Sequence, residues 1–83
     1  MVINYQTKGT CSRSIRLELE GEIIRSVSFT GGCNGNLKGI SSLVVGMTRD
    51  EAISRLKGIT CGFKSTSCPD QLAQALEKSY SAE

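Results

Sequence analysis

Histidine and tryptophan are absent from this 83-residue chain, proline occurs once, and aromatic residues make up only 5% of it. Without histidine, the chain lacks the commonest general base and a common metal ligand. A serine nucleophile at Ser65, Thr66 or Ser67 has no imidazole to activate it, which excludes a Ser-His-Asp triad. The longest apolar run, Leu43-Val44-Val45, is far short of the roughly 18 residues needed to cross a bilayer. Met1 to Thr10 has no basic stretch followed by an apolar one, so no secretory leader is expected and the chain reads as cytoplasmic. The net charge of +2 is spread along the chain, so the basic stripe of a nucleic-acid binder is missing.

What remains is an ordinary globular composition, 39% hydrophobic and 22% charged, with no repeat or low-complexity segment. One domain, residues 1–83, is expected. The first third predicts strands. Val2 to Thr7 is rich in β-branched residues, and Ser14 to Glu20 alternates apolar and polar residues. Gly21 supplies a turn, and Glu22 to Phe29 returns with Ile23, Val27 and Phe29 on one face. Helices are predicted next. Leu37, Ile40, Leu43 and Val44 follow the cap candidates Asn34 and Asn36. Thr48 and Glu51 form a capping box ahead of Ala52, Ile53 and Leu56, and Gly58 closes that helix. Pro69 suits a first helical position, with Leu72, Ala73, Leu76 and Tyr80 along one side behind it. The order βββααα argues an α+β domain: a three-stranded antiparallel sheet with helices packed on one face.

The conspicuous chemistry is four cysteines, Cys11, Cys33, Cys61 and Cys68, each on a loop or at an element end. Thiols beside helix N-termini are biased towards thiolate, the form that binds metal or attacks a disulfide. Two other readings compete. Buried cysteine is often an inert small hydrophobe. Four cysteines also allow three disulfide pairings, which a reducing compartment disfavours. With no Cys-x-x-Cys pair, a metal site has to be assembled from distant segments. Other features read as structural. The run Gly31-Gly32-Cys33-Asn34-Gly35-Asn36 is a turn before it is a phosphate cradle, matching neither nucleotide-binding fingerprint. Asp50 with Glu51, and Asp70 with Glu77, are acid–base pairs by type, but Asp50, Glu51 and Asp70 suit the first turns of helices. Arg13, Lys38 and Lys64 lie near the cysteines in sequence, with solvated surface as their default.

Thr66-Ser67-Cys68-Pro69-Asp70, followed by Gln71-Leu72-Ala73, resembles the TSCPD-domain family of small bacterial proteins. Cys61-Gly62-Phe63-Lys64 and the Gly31 to Asn36 run are similar to that family as well. Related segments occur at the C-terminal end of cobalamin-dependent ribonucleotide reductases. The resemblance therefore implies a ribonucleoside-diphosphate reductase label, with nucleotide binding, DNA synthesis and a reductase or iron–sulfur/redox protein as partner. Eighty-three residues cannot enclose substrate and cofactor together, which leaves an accessory or thiol-supplying role for this chain.

A more distant likeness is to the U-type iron–sulfur scaffold proteins. Cys11 before a strand, Cys33 after the next strand and Cys68 opening the last helix match that family's three cysteine positions. Arg13 and Ser67 stand where the scaffolds carry an aspartate and a histidine. That resemblance implies loops converging at one end of the sheet, a zinc or iron–sulfur site from Cys11, Cys33 and Cys68, and Cys61 as a fourth thiolate. Arg13 or Lys64 would then offset the negative charge of a four-thiolate site.

Overall fold

The computed structural model describes residues 1–81 apart from Cys11, Cys33, Cys61 and Phe63, and describes only the backbone of Asn34. Three strands, β1 (Val2–Gln6), β2 (Ser12–Glu20) and β3 (Ile23–Gly31), precede three helices, α1 (Asn34–Val44), α2 (Arg49–Leu56) and α3 (Cys68–Ser81). The strands form one antiparallel sheet in the order β1-β2-β3. This is the expected α+β architecture. Alternation in β2 works as anticipated: Ile15, Leu17 and Leu19 are buried while Arg16, Glu18 and Glu20 face solvent. The core joins these to Ile24 and Val27 of β3, Val44 of α1, Ala52 of α2, and Leu72, Ala75 and Leu76 of α3. Among the described residues, no helix is long and apolar enough to cross a membrane.

Two β-bulges correct the simple alternation. Glu18 pairs with Ser26 and Leu19 with Ile24, which leaves Arg25 as an extra residue in β3. The side-chain phase flips there, so Ile24 is fully buried and Ile23, expected inside, is only half-buried. The second bulge lies near the start of β2, where Ser12 pairs with Gly31 and Ser14 with Thr30, leaving Arg13 extra. It turns Ser12 inward, to 4% exposure.

Helix α1 is poor in intrinsic propensity, carrying Gly35 and Gly39, and is held by the burial of Leu37 and Val44. Leu43, expected on the same stripe, is 72% exposed. Six residues past Leu37 it is far round the helix, whereas Val44, seven past, returns to the same face. Thr48 caps α2 by accepting the Glu51 amide at 3.2 Å. The Glu51 carboxylate, expected to complete the box, lies 3.7 Å from Arg55 instead. Gly58 follows α2 at φ +87°, a conformation that favours glycine. The start of β3 is sealed by the chain entering α2, with Ile24 donating to Met47 O and Gly46 donating to Ile24 O, both at 2.9 Å.

Candidate functional site

Helix α3 begins at Cys68, with Pro69 second rather than first. Proline fits there because amides of the first turn lack intrahelical acceptors anyway. The residues around it build this helix start. Ser67 is the cap: its Oγ accepts the Asp70 amide at 3.1 Å and donates to Ile59 O at 2.6 Å. Its carbonyl accepts the first helical bond, from Gln71 N at 2.8 Å. Asp70 is buried, its Oδ1 accepting Gly58 N at 2.8 Å and its Oδ2 accepting the Thr66 hydroxyl and Gln74 Nε2, the latter at 2.9 Å. Donation from Thr66 and from Gly58 holds the Asp70 carboxyl below its ordinary range. Gln71 completes the frame, donating to Thr66 Oγ1 at 3.0 Å and accepting Lys8 N at 3.0 Å.

In the run Thr66-Ser67-Cys68-Pro69-Asp70, the other four residues thus shape a helix start, and Cys68 contributes its one thiol. Its side chain is half-buried, with Sγ 3.2 Å from Ser12 Oγ.

Cys11, Cys33 and Cys61 lie outside the described residues, but their sequence neighbours do not. Ser12, beside Cys11, touches Cys68 directly. Gly32, beside Cys33, sits so close to Ser12 that an added Cβ would come 3.2 Å from Ser12 N and 3.3 Å from Ser12 Cα. Ile59, two residues before Cys61, is tied to Ser67. Gly9 fits against Thr66, with 3.1 Å between an added Cβ and Thr66 Cγ2. Chain segments flanking all four cysteines therefore meet around the start of α3. Among the described residues, no three side chains of Cys, Asp or Glu group as metal ligands.

The other residues singled out by the sequence are placed as follows. Asp50 accepts the Tyr80 hydroxyl at 2.5 Å, and Glu77 pairs with Lys57 at 2.7 Å. Arg13 and Lys64 are exposed. Lys38 lines a cleft of about 540 Å³ between β3 and α1, along with Gly31, Gly32 and Ser41. Ser41 there donates to Leu37 O at 2.7 Å.

Sequence reasoning missed two residues. Ser12 precedes the strand expected from Ser14 to Glu20, and the Arg13 bulge turns it inward. Arg49, inside the expected capping box, is 1% exposed, donating to Ser79 Oγ at 2.9 Å and to Glu22, with the Tyr80 ring centre 4.0 Å from its guanidinium carbon.

Fold and site together define a small α+β domain whose last helix opens on a cysteine framed by a dense polar network. A family model for the TSCPD domain matches residues 3–80, and the chain belongs to that family. No curated protein and no solved structure gives a match.

Proposed function

We propose that this domain is a metal-binding module in which Cys11, Cys33, Cys61 and Cys68 hold zinc or an iron–sulfur cluster. The observation that supports it is the meeting of the cysteine-flanking segments: Ser12 against Cys68, Gly32 against Ser12, and Ile59 against Ser67. Thiolate-rich, histidine-free donor sets suit zinc and iron–sulfur clusters better than harder cations. Bound metal would cross-link loops distant in sequence and add binding free energy to a small core. Unpaired thiols persist best in a reducing compartment, so the reading goes with a cytoplasmic location.

The test is metal content and thiol count on protein purified without oxygen or chelator. About one zinc, or clustered iron, per chain is expected, and Cys33→Ser and Cys68→Ser should each lose it. A metal-free fold with four titratable thiols, unaffected by chelator, overturns the reading. The roles left would be thiol exchange beside a ribonucleotide reductase or another redox protein, or an interaction domain with inert cysteines, which dithiol-exchange measurements would separate.

A further inference from the structure

We infer that Ser12 is a positioning residue of this site, donating a hydrogen bond to the Cys68 sulfur through a hydroxyl chain that starts at Thr10; the inference rests on the metal reading above. Ser12 is buried at 4% exposure, and its Oγ lies 3.2 Å from Cys68 Sγ and 3.1 Å from Thr10 Oγ1. Proton counting sets the direction. A metal-bound cysteine is a thiolate with no proton to give, so the proton in the Ser12–Cys68 bond comes from Ser12. Ser12 has only that one, so the proton between Thr10 and Ser12 comes from Thr10. The Ser12 carbonyl also lies within reach of Thr10 Oγ1, at 3.3 Å, but the hydroxyl is nearer at 3.1 Å and the carbonyl already accepts Thr7 Oγ1 at 2.6 Å, so the Thr10 proton goes to the Ser12 hydroxyl when that hydroxyl gives its own to sulfur. The Arg13 bulge and the tight approach of Gly32 hold Ser12 in this orientation. A donor to a ligating sulfur fixes its rotamer and lowers its basicity, so that a proton displaces it from the metal less readily, and both slow loss of that ligand.

Cobalt(II) in place of the native metal provides the readout, because thiolate-to-cobalt charge-transfer bands report on the sulfurs directly. The full-length chain is loaded with Co²⁺, and its spectrum and the rate of metal transfer to EDTA are recorded. Ser12→Ala is expected to bind the same amount of cobalt, shift the charge-transfer bands to lower energy and release the metal about tenfold faster. Ser12→Thr, which keeps the hydroxyl, should restore both. Thr10→Val, which removes the upstream proton while keeping the side chain's shape, should move both in the same direction by less, and it serves if Ser12→Ala fails to fold. Wild-type bands and release rates in Ser12→Ala and Thr10→Val overturn the inference and leave the metal reading standing. A parent chain that carries no metal as purified and binds no cobalt overturns both.

Discussion

Asp70 Oδ1 accepts the backbone amide of Gly58 at 2.8 Å, fastening the residue that leaves α2 to the first turn of α3. The same carboxylate accepts from Thr66 and Gln74, so three donors depend on one buried side chain. Removing it in Asp70→Ala strands those donors and should cost about 3 kcal/mol of stability, read by urea unfolding.

Acid should expose the same dependence. The Asp70 carboxyl is held below 3.8, first by the Thr66 hydroxyl and then by the Gly58 amide. A carboxyl depressed on folding contributes stability that is complete above its unfolded pKa and is lost as pH falls through the folded one. Stability followed from about pH 5 to about pH 2 should therefore fall less in Asp70→Asn than in the parent. Equal slopes would mean that another carboxylate carries the acid sensitivity.

Arg49 predicts a contrast between volume and charge. It is almost wholly buried between Glu22, Ser79 and the Tyr80 ring, yet its partner Glu22 is 53% exposed and can turn to water. Arg49→Ala should cost about 3 kcal/mol, mostly through the cavity and the lost packing. Arg49→Met refills that space with a flexible apolar chain and should cost about 1 kcal/mol. Equal losses in the two variants would show that the charge, and not the volume, joins α2 to α3.

How much of this was legible follows from what each signal depends on. Strand β2 was plain because alternation is local, and Ile15, Leu17 and Leu19 obey it. The start of α3 was found to within one residue, since Ser67, Pro69 and Asp70 are types whose preferences come from the free amides of a first turn. Ile24 was lost because a bulge depends on pairing with β2, which the residues of β3 alone do not reveal. Ser12 was lost for the same reason at Arg13, and with it the contact to Cys68. Arg49 was hidden by its neighbours. Thr48, Asp50 and Glu51 make the first turn of α2 read as polar, and only the tertiary approach of Ser79 and Tyr80 puts the guanidinium inside.

Tyr80 should ionise late. Its hydroxyl donates to Asp50 at 2.5 Å, and losing that proton would put a phenolate against a carboxylate, which pushes its pKa up to about 12. A group raised on folding adds stability below its unfolded pKa of 10.0, and that contribution disappears as pH climbs towards the folded value. Absorbance titration of a Tyr5→Phe chain isolates this residue, and Asp50→Asn should bring the midpoint down. An unchanged midpoint would assign the shift to burial beside α2 in place of the hydrogen bond.

Gly32 gives the sharpest link between backbone and site. It stands at φ +81°, and an added Cβ would come 2.8 Å from Leu37 Cδ1, 3.2 Å from Ser12 N and 3.3 Å from Ser12 Cα. The leucine tip can move. The Ser12 backbone cannot follow, because its register with Gly31 and its carbonyl bond from Thr7 hold it in place. Gly21 is the natural control, at φ +59° with nothing within 4 Å of the added atom. Gly21→Ala should cost about 1 kcal/mol from backbone strain alone, and Gly32→Ala about 2 kcal/mol more through the clash. Because Gly32 adjoins Cys33 and presses on Ser12, the proposed metal site predicts that Gly32→Ala also weakens cobalt binding under conditions where it remains folded, while Gly21→Ala matches the parent. If both variants lose stability equally and bind cobalt alike, the close approach of Gly32 to Ser12 has no part in assembling the cysteines.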